Sequence, residues 1–206
     1  MHVPDGVLSL PVAAVGAVGT LAALGVSLPR LDAEALPRVA VMSAVFFVAS
    51  LINVPVGPST VHLLLSGLMG LALGWAAVPA TLVALILQAV FFGFGGLTSL
   101  GVNTLNIALP GILAAALVRP LLHRTTDPTR IGLVAAGAAM IAVFGSAGLL
   151  LLSLVLSDAA YAASVPLIAL SYTPLLIAEM AIAGFAAAFL ARVKPEVLLP
   201  PRPAHG

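Results

Sequence analysis

The chain has 206 residues, 62% of them hydrophobic and only 7% charged, with a net charge of +1 and no cysteine. A soluble domain is nearer half apolar and a quarter charged, so this composition, with a mean hydropathy of +1.22, excludes that class and indicates an integral membrane protein. The missing cysteines exclude a disulfide framework, a thiolate metal site and a dithiol redox motif, and no basic stripe supports nucleic-acid binding.

The chain opens MHVPDG. Pro4-Asp5-Gly6 reads as a turn that Asp5 fastens; an attraction of Asp5 for cations is the alternative. The first apolar run, Leu8 to Leu28, lacks the basic flank of a signal peptide, because the first basic residue, Arg30, follows it. The N-terminus is therefore expected to be retained. A helical crossing takes about 20 apolar residues. Gly, Pro, Asn and charge divide the rest into further spans: Leu36 to Asn53, His62 to Gly74, Ala77 to Gly93, Val102 to Leu122, Arg130 to Ser157, and Ser164 to Arg192. The run from His62 is short and reads as a full span or as a buried or re-entrant piece. Glu179 lies inside the last run, near Tyr172 and an expected kink at Pro174. A hydrogen bond across the bundle and a proton or ion ligand are both open for it. Residues 193–206 form a Pro-rich tail. The expected fold is all-α: one polytopic membrane domain over residues 1–206, with about seven transmembrane helices.

Positive charge orients such a chain, because Lys and Arg in short loops stay cytoplasmic. With the N-terminus outside, Arg30 and Arg38, then Arg119, Arg124 and Arg130, then Arg192, Lys194 and Arg202 all fall inside. These are all the Lys and Arg residues, and the outer segments keep only Asp5 and Asp158. The expected location is the inner cell membrane, with the C-terminus cytoplasmic.

Polar chemistry is sparse, so the four histidines carry weight. A free α-amine at Met1, the backbone nitrogen of His2 and the His2 imidazole lie on one short covalent path. One metal ion there closes two fused rings with three nitrogens, and a fourth ligand completes a square plane. That geometry suits Ni(II) or Cu(II) and is accessible to Co(II). The ligands must shed protons, so capture weakens in acid. The plain alternative is a solvated terminal histidine.

His62 follows NVPVGPST at an expected helix start and, by the topology above, lies on the side that holds Met1. Alone, it reads as a helix-entry histidine with Ser59 or Thr60 as cap. Ionisable groups at membrane depth are usually functional and partnered, and with no acidic neighbour in sequence a metal is a sufficient partner. His123 and His205 read as solvated. The link GFGGLTSLGVNTLN lacks the Lys of a phosphate loop. Its Asn103 and Asn106, with Gln88 on the preceding helix, are candidates to hydrogen-bond the N-terminal segment and hold His2 in place. Helix–helix hydrogen bonds explain Gln88 and Asn106 equally well.

The stretches MHVPDGVLS, NVPVGPSTVHLLLSGLMGLALGW and QAVFFGFGGLTSLGVNTLNIALPG resemble the CbiM/NikM family, the cobalt and nickel capture components of energy-coupling-factor transporters. The resemblance covers most of residues 1 to 122 by motif and the remainder through hydropathy and span count. It implies a metal held by the Met1 amine, the His2 amide nitrogen, the His2 imidazole and the His62 imidazole. An extra first helix would deliver the N-terminus to the pocket. Co(II) or Ni(II) is then a transported substrate, with no catalytic cofactor. The implied partners are a transmembrane coupling subunit and cytoplasmic ATPases, with a small auxiliary membrane subunit as a further candidate and membrane lipid around them. Two departures stand out: Phe94 occupies a position where relatives often carry histidine, and GPST replaces the more common PGTS.

Small residues four apart, Ala13 and Ala17, Ala40 and Ala44, Ala183 and Ala187, permit close helix packing. By the resemblance, Ala40 to Ala44 is a candidate surface for the coupling subunit. Two other functions compete. An intramembrane enzyme would use His62, Asp158 or Glu179, yet the chain has no clustered carboxylates, no His-x-x-x-His and no Gly-x-Ser-x-Gly. A vitamin-capturing component would need a larger aromatic pocket than one Trp and two Tyr supply.

Overall fold

The computed structural model describes residues 3–51, 53–56 and 59–198. Their elements are α1 (Leu10–Ser27), α2 (Leu36–Ala49), β1 (Asn53–Val56), β2 (Ser59–His62), α3 (Ser66–Leu73), α4 (Ala77–Phe92), α5 (Leu100–Leu122), α6 (Pro128–Ser157) and α7 (Val165–Val193). Each apolar run of the sequence carries one helix. Among the described residues five stretches are long and apolar enough to cross a membrane, and α2 is a shorter apolar helix. α3 and α4 fall within one of the five, Ser66–Phe92, but Gly74 at φ +56° breaks them apart, a conformation that glycine adopts without strain.

The expected helix boundaries fail around His62. β1 and β2 pair antiparallel with Asn53 opposite His62, so the segment expected to end one helix and begin the next is a hairpin. The β-branched Val54, Val56, Thr60 and Val61, with Pro55 among them, disfavour a helix here. Ser59 and Thr60 lie on β2 and cap no helix, which corrects the expectation for them. A two-stranded ribbon cannot face lipid with open edges. The hairpin instead packs on α7, with Ser59, Val61 and His62 buried.

α3 follows as a half-length helix, about 12 Å long at 1.5 Å per residue, buried from Ser66 to Ala72. It starts beside the middle of α5 and α6. A Cβ on Gly70 would stand 2.0 Å from the Gly111 carbonyl oxygen, one on Gly111 2.1 Å from the Ser66 oxygen, and one on Gly67 2.6 Å from the Ala139 Cα. Backbone therefore touches backbone, as small residues allow in lipid. α6 and α7 pair in the same way, through Gly132 and Gly184, with Ala183 and Ala187 buried. α6 starts on an Asp127 cap, whose carboxylate accepts from the Thr129 N–H at 3.0 Å.

Charge sorts along the bundle. The end of α1 meets the α3–α4 break, where Ser27 donates to the Trp75 carbonyl at 2.8 Å and Arg119 lies against Gly74. Leu122, Ile131, Ala187 and Leu198 share one apolar cluster near the same end. All the described Lys and Arg residues thus gather at one end of the bundle. Asp5, tied to Leu97 and Thr98, marks the other.

Candidate metal site

Three side chains at the start of α5 grip the beginning of the chain. The Val3 N–H donates to Asn103 Oδ1 at 3.0 Å, and the Val3 carbonyl accepts from Asn103 Nδ2 at 3.1 Å and from Ser99 Oγ at 2.5 Å. Asn103 also donates to Ser99 Oγ, one turn earlier, at 3.2 Å. Two residues on, the Asp5 carboxylate accepts from the Leu97 N–H at 3.1 Å, the Thr98 N–H at 2.9 Å and the Thr98 hydroxyl at 2.5 Å. The Thr98 hydroxyl foremost holds the Asp5 carboxyl below its ordinary range. Gly96 leaves room for this latch, since a Cβ there would lie 2.0 Å from Asp5 Oδ1. The expected turn role of Asp5 is therefore filled through a partner more than ninety residues away.

Val3 is fully buried, in the same apolar cluster as Val61, Leu64, Phe46 and Ile107. The docked start of the chain and the hairpin thus share one core. Met1 and His2 lie outside the described residues.

His62 is 3% exposed. Its Nδ1–H donates to the Leu63 carbonyl at 2.7 Å, since a carbonyl can only accept. That bond fixes the tautomer and leaves the lone pair on Nε2, the arrangement a metal-binding imidazole needs. The ring sits 6.1 Å from the Phe46 ring. A mostly apolar cavity of about 310 Å³ adjoins it between the hairpin and α7, lined by Val54, Val56, Val61, Ser171 and Pro174. Among the described residues no three His, Cys, Asp or Glu side chains converge.

The sequence left Glu179 open, and it now has a place. Fully buried on α7, it accepts through Oε1 from the N–H groups of Leu64 and of Leu65, the latter at 2.8 Å. These are the residues between His62 and α3, and Leu65 holds a left-handed φ of 51°. Glu179 thus braces the backbone that carries His62. Glu179→Ala strands these two buried N–H groups and is expected to cost about 1–3 kcal/mol of stability for each, while Glu179→Gln, which keeps an acceptor oxygen, retains most of it. Thermal unfolding of both variants checks this; equal losses would assign the effect to charge instead.

The remaining candidates separate. Gln88 donates to the hydroxyl of Ser50, the residue that closes the end of α2. Asn106 is buried on α5, and its Nδ2 has no protein acceptor among the described residues. Phe94 stacks on Phe92 with centroids 5.7 Å apart. His123 and Asp158 are exposed, and Asp158 accepts from the Ala160 N–H at 2.8 Å.

Over nearly its whole length the chain is similar to known proteins. Residues 2–197 match the CbiM family, described as the cobalt uptake substrate-specific transmembrane region. A Haemophilus influenzae protein named for metal transport is 41% identical over 96% of this chain and 97% of its own. The fused nickel transport protein NikMN of Rhodobacter capsulatus is 38% identical over 98% of this chain, which spans 65% of that longer protein. A crystal structure of a transition metal transporter superposes with a TM-score of 0.78 at 26% identity, covering 95% of both chains. With its helices, its buried hairpin and a match over nearly its whole length, the chain belongs to the CbiM family of membrane transport proteins and is not an enzyme.

Proposed function

We propose that this protein captures Co(II) or Ni(II) at the outer face of the cell membrane, as the substrate-specific component of an ATP-driven energy-coupling-factor importer. The ion is the cargo. Its donors are the Met1 amine, the His2 amide nitrogen, the His2 imidazole and His62 Nε2, a set of four nitrogens suited to a square plane. One observation carries this reading: the residue after His2 is clamped at both its N–H and its carbonyl by Asn103 and Ser99, within the same apolar cluster as Val61 and Leu64 on either side of His62. Asn103 acts on Val3 and so orients His2 through one peptide unit.

The gathering of basic residues at the opposite end supports a cytoplasmic location for that end and an outer location for Val3. The seven helices then count as spans of one substrate-binding domain, the third being the half-length α3 with the hairpin completing the crossing. The energy source lies in partners, namely a transmembrane coupling subunit and cytoplasmic ATPases, with a small auxiliary membrane subunit as a further candidate. Ala40 and Ala44 are exposed on α2 and offer the coupling subunit a flat surface.

Equilibrium dialysis of the purified protein against Ni(II) and Co(II) tests the reading. One ion per chain is expected, with the Ni(II) complex showing the diamagnetic signature of planar nitrogen ligation and binding falling as the pH drops. Octahedral, paramagnetic Ni(II), or no binding at stoichiometric metal, would rule the proposed donor set out.

A further inference from the structure

A second cavity, of about 270 Å³, opens at the basic end of the bundle between Arg30, Arg38 and Arg119, with Asp32, Ser27 and Trp75 also lining it. Three separate elements deliver the arginines: the turn after α1, the first turn of α2 and the last turn of α5. Among the described residues none of the three has a carboxylate partner; the ion pair found there joins Arg130 to Asp127. Asp32, the one acid lining the cavity, accepts from the N–H of Ala35, also in the lining, at 2.7 Å. Arg30 donates to the Val26 carbonyl. Arg119 Nε is shut off from solvent with no acceptor among the described residues. The lining thus sets three guanidinium groups against one carboxylate, an excess of positive charge that favours an anion with several oxygens.

We infer that this cavity binds the phosphate of an anionic phospholipid. Guanidinium groups match phosphate oxygens in geometry and charge, and basic pockets between membrane helices on the cytoplasmic side accept acidic headgroups. Lipid is favoured over free phosphate by the rim. Trp75, which lines the cavity, is 39% exposed, as tryptophans are at headgroup level, and Leu28 and Leu36, next in sequence to the lining residues Ser27 and Ala35, are 52% and 54% exposed and offer apolar surface to acyl chains. This site is independent of the metal reading.

Native mass spectrometry and thermal unfolding of the detergent-purified chain supply the test. The additions are phosphatidylglycerol, phosphatidylcholine or inorganic phosphate. The wild type is expected to retain phosphatidylglycerol and to gain several degrees of Tm with it alone. Arg38→Gln/Arg119→Gln should lose at least tenfold in that binding, and the exposed Arg124→Gln should keep it. Arg30→Gln, at the cavity edge, is the milder variant should the double substitution fail to fold, and a threefold or larger loss is expected. Equal retention in Arg30→Gln and wild type, equal stabilisation by phosphatidylcholine, or equal stabilisation by inorganic phosphate at the same concentration would each overturn the assignment, the last by revealing a free-anion site.

Discussion

Inserting Gly-Ser ahead of Met1 is expected to weaken Ni(II) and Co(II) binding by about a hundredfold or more, with helix content and monodispersity unchanged. The proposed chelate depends on a free amine one peptide unit from His2. Two added residues keep both imidazoles and the whole bundle but carry the amine out of reach, and a metal-binding set loses more from a missing donor than the tenfold to hundredfold typical of a supporting contact. A single added residue behaves differently: the new amine, two amides and the imidazole form a complete four-nitrogen set without His62. In that variant Ni(II) binding should persist and become indifferent to His62→Ala. Calorimetric titration of the three proteins, with and without the His62 substitution, reads both effects. Native-like affinity in the Gly-Ser protein, still dependent on His62, would defeat the terminal chelate.

His62→Ala in the native chain is expected to give the second large effect, a loss of about a hundredfold or more in affinity for both ions if the proposed donor set holds. The substitution removes the donor and leaves the Leu63 carbonyl without its Nδ1–H partner, which costs about 1–3 kcal/mol of stability for a buried acceptor. The fold should survive, because Glu179 still holds Leu64 and Leu65. Free imidazole added to the variant is expected to restore part of the Ni(II) binding by entering the space next to Phe46. A variant that folds, binds Ni(II) like the wild type and ignores imidazole would remove His62 from the ligand set.

Much of the helical fold was legible because a bilayer imposes a single strong rule on composition. The run from Val102 to Leu122 became α5, starting two residues earlier, and Arg130 to Ser157 became α6. Around His62 the same rule misled. Hydropathy counts apolar content and is blind to conformation, while the signals against a helix, two prolines and a crowd of β-branched residues in NVPVGPSTV, are local and weak. Asn103 was singled out as a partner of the N-terminal segment and does bind it, at Val3. The partner of Glu179 was not legible. Its bonds reach backbone groups 114 and 115 positions away, and no pattern of side chains announces which N–H groups a buried carboxylate will meet. Ser99 escaped notice for the same reason: a hydroxyl in a turn-rich link looks like turn chemistry until its acceptor is known.

The clasp on Val3 bears on time as well as on affinity. On the proposed reading, an ion held by His62 and the N-terminal donors would depart when the Asn103 and Ser99 contacts of Val3 and the Asp5 contacts let go together. Such concerted local openings are infrequent beside side-chain motion. Slow exchange is then expected even where equilibrium binding is ordinary, and whatever loosens those few contacts would set the pace of release while the helices beneath stay packed.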